Sequence, residues 1–513
     1  MKFCILAAGI GSRNNVLNGL HKGLLPIQNI PMISHVISKL ESKQEIIVAV
    51  GHLSNQIISY LKFVHPERNI KFINIDHFSG KGSGPGYSLL QCKEELQCPF
   101  VFGTIDTFFD EEVKFDVKNN WIGIAKIPSN HSKNYCMVKG EKKLESLYYG
   151  TGNTVYNGFA GISDYEKFWN VLETSGLVNN EHQVTSAIAE LKNVELKNFK
   201  NFYDTGIEEK YVNLRKKIGK EIVFAKNDEA IFLDNKKVVK YFSDETKCKN
   251  RIKRVSTLQK FIPSITKLTP NMFGYDFVDG KLLSEINDEE IFLEFLEEFY
   301  SFSIHHDTTE QKNFSSNCLK MYKTKTYDRV KPFQNSIIDN IKNINEIQVD
   351  KISKILKKIN WEHIVKTALP SYFHGDLQPE NIIIGKDNKI TLIDWRESFG
   401  DNTDIGDLYY DLGKLYHGLL INGKMVKDKK FSLQIENTKV TLSYSTKDNL
   451  MKFKRILEIF CKKHNLDYDN VQLLGALQYL NIAEFYMKTE PEYSKFIFLL
   501  GKLLMTEIIG KND

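Results

Sequence analysis

Over the first two hundred positions, short uninterrupted apolar runs alternate with stretches whose apolar residues recur at three- and four-residue spacing. The runs fall at residues 3–7, 45–50, 70–75 and 100–104, and the helical spacings at 33–40, 55–64 and 87–96. Runs without polar alternation mark strands buried on both faces, and strand–helix alternation predicts βαβ units. The expected fold is therefore α/β, a Rossmann-like, mainly parallel sheet over residues 1–218. Ligands of such a sheet bind at the carboxyl ends of its strands.

The texture then changes. A helical stretch rich in Lys and Glu at 207–218 leads into short β-rich runs at 221–224, 230–233 and 238–242, separated by Lys226-Asn227-Asp228 and Asp234-Asn235-Lys236. Such polar turns predict an antiparallel meander and a new domain. Beyond residue 277 the chain reads as mostly helical, interrupted by a hairpin at 382–384 and 390–393. A second domain is expected over 219–513, with a β-rich lobe at about 219–280 and a helical lobe at about 281–513.

A chain of 513 residues, 42% hydrophobic, can bury two or three cores. Its charge of +5 is spread thinly: 25 Lys and Arg stand against 22 Asp and Glu up to residue 218. Neither part carries the basic excess of a nucleic-acid binder. The seven cysteines are scattered without a CxxC pair, and no run approaches the length of a membrane span, so no membrane insertion is expected and a cytoplasmic location is.

Leu6-Ala7-Ala8-Gly9-Ile10-Gly11-Ser12-Arg13 follows the first strand. Its glycines let backbone N–H groups approach an anion, and Arg13 adds a positive charge. An ordinary glycine-rich turn or a dinucleotide fold are the alternatives. The latter fits badly, because Asn14 replaces the third glycine and Val50-Gly51 ends the second strand without a carboxylate. A second glycine-dense segment, Ser79-Gly80-Lys81-Gly82-Ser83-Gly84-Pro85-Gly86, precedes a helix, as a loop closing over a nucleotide base or an acceptor would.

Together with His21-Lys22-Gly23-Leu24-Leu25-Pro26, Asp106, Asn157-Gly158-Phe159-Ala160-Gly161 and Tyr203-Asp204-Thr205-Gly206, these strings resemble the sugar-phosphate and phosphocholine nucleotidyltransferase family over about residues 1–210. The resemblance implies that Gly9, Gly11 and Arg13 hold a triphosphate, Lys22 binds phosphate, Gly84 helps cover the nucleotide, and Asp106 and Asp204 ligate magnesium. It is incomplete: His21 stands where the family usually has proline, and its Glu-Lys-Pro element is missing.

Phe373-His374-Gly375-Asp376-Leu377-Gln378-Pro379-Glu380-Asn381, followed by Leu392-Ile393-Asp394-Trp395, resembles the catalytic loop and metal-binding aspartate of the aminoglycoside phosphotransferase and choline kinase family, related to protein kinases. The likeness spans about residues 220–513 and implies a bilobal, protein-kinase-like α+β domain. An aspartate in a tight loop can take a hydroxyl proton, and a following asparagine and aspartate can hold magnesium on ATP phosphates. Asp376 is thus the expected base, Asn381 and Asp394 the metal ligands, and Lys240, set in an apolar strand, the ATP-contacting lysine. His374 is read as a brace, and Asp407 and Asp411 as braces or substrate contacts. Trp395, Tyr409 and Tyr410 could seat a quaternary ammonium or belong to the core.

The two resemblances imply a bifunctional enzyme that phosphorylates a small alcohol with ATP and then transfers an NMP from a second NTP, CTP favoured. Choline or a related amino alcohol leads. A sugar kinase joined to a sugar-1-phosphate nucleotidyltransferase, or a lone kinase with a regulatory nucleotide-binding domain, are the alternatives.

Overall fold

The computed structural model describes residues 1–11, 16–128, 135–219, 228–304, 313–421 and 423–510. It forms two compact units: Met1–Cys248 with Ile265–Phe277, and Lys249–Ser264 with Val278–Asp513. Among the described residues no helix is long and apolar enough to cross a membrane.

In the first unit β1 (Lys2–Ala7), β2 (Glu45–Val50), β3 (Ile70–Asn74) and β4 (Phe100–Thr104) pair in parallel, in the order β3-β2-β1-β4. They are the four apolar runs of the sequence. Phe3, Ile5 and Ala7 of β1 enter one hydrophobic core and Cys4 and Leu6 another, so both sheet faces are buried. Helix α1 (Ser54–Val64) packs in the first core through Ile57, Tyr60, Leu61 and Val64. Helix α2 (Pro85–Gln91) packs in the second through Leu89.

The continuation past β4 is mostly antiparallel, which the sequence pattern does not foretell. Short β5 (Thr107–Phe109) leads to β6 (Trp121–Lys126), β7 (Thr154–Ile162), β8 (Glu195–Asn198) and β9 (Phe202–Asp204). Strand β7 joins the sheet antiparallel to β4, and β6 lies beside β7. Strand β9 pairs with β5, with Asp204 opposite Thr107. Helix α3 (Glu208–Ile218) follows, with acidic residues in its first turn and basic ones in its last, as its macrodipole favours.

The expected strand at 221–224 lies outside the described residues. The meander itself forms: β10 (Glu229–Asp234), β11 (Lys237–Phe242), β12 (Ile265–Thr269) and β13 (Met272–Asp276) make an antiparallel sheet ordered β10-β11-β13-β12. Asn235 and Lys236 turn its first hairpin with positive φ.

This small sheet belongs to the first compact unit. Ala230, Phe232, Val239, Tyr241 and Met272 share the core that contains β1 and α1. Phe63 of α1 crosses Gly274 so closely that a Cβ there would lie 2.4 Å from the ring. Polar contacts follow the same seam: Leu233 N–H donates to Asn29 O at 2.8 Å, and the Tyr241 hydroxyl to Asn18 O at 2.5 Å.

The second unit is mostly helical, as expected beyond residue 277. The elements that carry its chemistry are the end of α4 (Glu245–Lys253), α5 (Lys325–Val330), β14 (Pro370–Tyr372), the hairpin β15 (Ile382–Ile384) and β16 (Ile390–Leu392), β17 (Ile405–Asp407) and α6 (Leu408–Leu420). Every residue of α6 is buried. It packs against α7 (Tyr468–Tyr486), which in turn packs on α8 (Pro491–Gly510).

Because Phe232 is buried in a core shared with β1, Phe232→Ala should destabilise the whole first unit, by about 3–5 kcal/mol. Native-state hydrogen exchange checks this. Amides of β1 and β2 should exchange roughly 10²–10³-fold faster; acceleration confined to β10–β13 would show that the small sheet stands alone.

Two candidate active sites

In the first unit the candidate residues gather at the carboxyl ends of the parallel strands. Gly9 and Gly11 follow β1, and the Lys22 side chain runs beneath them: a Cβ on Gly11 would lie 2.7 Å from Lys22 Cδ, and one on Gly9 3.7 Å from Nζ. Gly11 also has φ +68°, which glycine alone adopts cheaply. Arg13 lies outside the described residues.

His21 fixes this geometry. It is fully buried, its Nε2 bonds Ala7 O at the end of β1 at 3.0 Å, and its Nδ1 accepts Gly23 N–H at 3.0 Å. Those contacts require the neutral ring with the proton on Nε2. Burial, then the neighbouring Lys22 charge, lower its pKa to about 3.

Lys22 Nζ stands 3.4 Å from Asp106 Oδ2. Burial works to raise the Asp106 pKa, but Lys22 and a hydrogen bond from Thr104 outweigh it, and the carboxyl stays below its ordinary value. Asp204 is brought alongside. A Cβ on Gly206 would lie 3.1 Å from Asp204 Oδ1 and 3.5 Å from Asp106 Oδ2, so both carboxylates border one glycine. Thr205 N–H donates to Asp106 O at 2.8 Å, tying the two loops together. Asp204 Oδ2 also accepts the Tyr135 hydroxyl and lies 3.4 Å from Lys210 Nζ, two partners with no signal in the sequence. Two hard carboxylates with a lysine beside them suit magnesium carrying a phosphate.

Gly84 does not stand open. A Cβ there would meet His182 O at 2.8 Å, and its φ is +126°. The loop is laced to residues 180–182, with Gly82 N–H donating to Asn180 O and Gly86 N–H to His182 O. Phe78, at the start of this loop, abuts Gly51 after β2, and Gly51 abuts Ala8 after β1. The loop thus borders the strand ends but is held by its own hydrogen bonds. Lys240 is buried in β11, paired in register with Ile231 and Phe273.

In the second unit the loop after β14 is held from beneath. Asp411, fully buried on α6, accepts His374 N–H at 2.6 Å and Gly375 N–H at 2.7 Å. Burial pushes its carboxyl up to about 7 against the pull of those two amides. His374 is buried too, with Nε2 on Ile393 O at 3.0 Å and Nδ1 accepting Asp376 N–H at 3.2 Å. Buried Arg254 adds bonds to the carbonyls of Phe373 and Arg396 and stacks on the Phe373 ring.

Asp376 Oδ1 then meets Lys414 Nζ at 3.0 Å and Gln378 Nε2 at 3.0 Å. Burial would raise its pKa, but Lys414 and Arg396 hold it well below the usual carboxylate range, so it is ionised. Asn381 turns its amide nitrogen to Asp376 O at 2.8 Å, which leaves Oδ1 as the atom able to meet a metal. Asp394 takes a left-handed conformation, φ +62°, and pairs with Arg251 Nη1 at 2.9 Å. Its hairpin is bonded to the loop by Ile393 N–H on Asn381 O at 2.9 Å.

The structure therefore brings Asp376, Asn381 and Asp394 together. Asp407 braces, capping α6 at Tyr409 N–H and accepting Leu369 N–H. The aromatic residues named for an ammonium seat are otherwise engaged: Trp395 is buried with Nε1 on Arg251 O, and the Tyr409 hydroxyl accepts Asp467 N–H. His305, His306 and Asp307 lie outside the described residues. Sequence reasoning missed Arg251, Arg254 and Lys414; a lysine in the apolar helix α6 was the available signal.

Residues 3–109 match the MobA-like NTP transferase domain, and residues 347–424 the phosphotransferase enzyme family. Over 130 residues the chain is 28% identical to the bifunctional protein GlmU of Methanococcus vannielii, covering 25% of this chain and 30% of that protein. Over 115 residues it is 30% identical to the Methanococcus maripaludis GlmU, covering 22% and 26%. The chain thus spans less than a third of the curated relatives it matches. Similar solved structures include CTP:phosphocholine cytidylyltransferase from Streptococcus pneumoniae, at 19% identity, 42% and 99% coverage of this chain and that one, and TM-score 0.35. The inositol-1-phosphate CTP transferase from T. maritima gives 16%, 44% and 98%, and 0.34.

The neutral His21 has a measurable consequence. Its folded pKa of about 3 lies below the unfolded value of about 6.5. The stability it lends is full above pH 6.5 and is lost as pH falls toward 3, at up to about 1.4 kcal/mol per pH unit. Urea unfolding of the first unit at pH 7 and pH 5 should differ by about 2 kcal/mol from this site, and His21→Gln should remove that share.

Proposed function

We propose that this chain, which carries an NTP transferase domain and a phosphotransferase domain, activates one small hydroxyl-bearing metabolite in two steps. In the first, the alcohol oxygen attacks the γ-phosphorus of ATP, its proton passes to Asp376, and the bond from the γ-phosphorus to ADP breaks. In the second, an oxygen of the new phosphate ester attacks the α-phosphorus of another NTP, a P–O bond forms, and pyrophosphate leaves.

The observation that carries this reading is the convergence of Asp106 and Asp204 on Gly206 beside Lys22, in one chain with the Asp376 loop. A nucleotide sensor has no use for paired metal carboxylates. Asp106 and Asp204 would hold magnesium at the transferase site, and Asn381 and Asp394 at the kinase site, where the ion neutralises charge on the phosphates. Lys22 would steady the α-phosphate, with Gly9, Gly11 and Arg13 around the triphosphate. Gly84 would shape the nucleotide loop, and Lys240 would meet the ATP phosphates. CTP is the favoured second nucleotide, choline or a related amino alcohol is the acceptor that the sequence resemblance supplies, and the activated product would serve cell-surface polymer or lipid decoration.

The test is mass spectrometry of products formed with magnesium, ATP, each other NTP and a panel of amino alcohols, polyols and sugars. Asp376→Asn should lower ester formation by roughly 10²–10⁴-fold yet still convert an ester supplied ready-made. Asp106→Asn should do the reverse and let the ester accumulate. Nucleotide transfer unchanged in Asp106→Asn and Asp204→Asn would sink the transferase reading.

A further inference from the structure

Around Asp376 most charges are matched. Lys414 pairs with Asp376 itself, and Arg251 with Asp394 and Glu397. Arg396 and Lys325 are different. Arg396 Nη1 donates to the Tyr410 hydroxyl at 3.0 Å, and the Lys325 charge acts on the same phenol. Among the described residues neither Arg396 nor Lys325 forms an ion pair with a carboxylate. Two cations thus converge on one neutral phenol that is 1% exposed.

Such an arrangement costs energy until negative charge arrives, because like charges in a partly dehydrated place repel with little screening. Lys325 registers that shortage, whereas Arg396 is pulled up by Tyr410 and then by Asp376 and Glu397. Burial lowers the Lys325 pKa to about 8, with Arg396 and Lys414 adding to the fall against the pull of Tyr410. Burial would raise the Tyr410 pKa, yet Lys325, Arg396 and Lys414 bring it down to about 8.

The cluster also has a direction. Tyr410 and Lys414 lie one turn apart on α6, hence on one face, and Lys414 holds Asp376. The Arg396 side chain runs beneath Gly375, where a Cβ would come within 2.8 Å of it, directly beside Asp376. The wall therefore reads Asp376, Lys414, Tyr410, Arg396, Lys325.

Resting on the kinase reading above, we infer that the acceptor alcohol carries an oxyanion, a carboxylate or a phosphate, which Arg396 and Lys325 receive around the Tyr410 hydroxyl while its alcohol meets Asp376. The oxyanion takes no part in the bond changes. It positions the alcohol and supplies negative charge beside Lys325. An amino alcohol would instead set its ammonium against them, and Trp395 and Tyr409 are committed elsewhere, so the two-step reaction is kept and this anionic alcohol replaces choline as its acceptor.

Steady-state kinetics of the full chain with magnesium and ATP test this on matched probes: glycerol, glycerate, glycerol 3-phosphate and choline. Glycerate or glycerol 3-phosphate should exceed glycerol and choline in kcat/KM by at least about 30-fold, and their ranking tells carboxylate from phosphate. Arg396→Met and Lys325→Met should each raise the KM for the anionic probe by roughly 10–100-fold, leave the KM for ATP within about 3-fold, and Arg396→Lys should recover part of the loss. Choline or glycerol used as well as the anionic probes would overturn the inference, as would a shift confined to the KM for ATP. So would Asp376-dependent ATP hydrolysis without phosphorylation of any probe. Absence of any Asp376-dependent ATP turnover would overturn the kinase reading itself, and this inference with it.

Discussion

A loop that carries charged side chains beside glycines holds its shape only if something fixes its backbone, and in both units a buried neutral imidazole does so. His21 and His374 each accept the amide two residues ahead on Nδ1 and donate from Nε2 to the carbonyl at or beside a strand end. Both nitrogens are used, so the tautomer is fixed, and burial keeps the ring uncharged. A cationic side chain in the same place would fight Lys22 in one unit and Arg254 in the other. The two loops share no sequence beyond the histidine, yet the same hydrogen-bond economy holds each against its sheet.

Around these braces the charges are arranged differently. In the first unit a lysine lies between a glycine loop and an aspartate, and the second aspartate is steadied by Tyr135 and Lys210. In the second unit the braces lie beneath the loop, where Asp411 takes two amides and Arg254 two carbonyls. Neither Asp411 nor Arg254 is free to meet a ligand. Their work is to hold Asp376 where Lys414 keeps it ionised.

Much of this was legible in the sequence. Apolar runs announce strands, so β1 to β4 were readable, β3 among them although it is only partly buried, and so was the hairpin of β15 and β16, with Asp376, Asn381 and Asp394 on or beside it. The rest of the first sheet was not, because its strands are interrupted by loops and paired out of chain order. Arg251, Arg254, Lys325 and Lys414 were also hidden. Each lies far along the chain from the loop it serves, and a charged residue on a helix reads as solvated until its neighbours are known. Gly84 shows the opposite error of scale: the glycines were evident, but the 180–182 segment that makes them necessary was not.

The sharing of one core by β1, α1 and the meander bears on how this gene could be trimmed or recombined. The change of texture near residue 218 looks like a seam, and a fusion of two ancestral genes would be expected to part there. The side chains of Phe232, Val239, Tyr241 and Met272 lie beyond it and complete the interior of what comes before. A cut at that seam would strip a sheet from an apolar face of the first unit and uncover the side chains packed there. The piece that heredity must keep whole runs past the seam, to Phe277 at least.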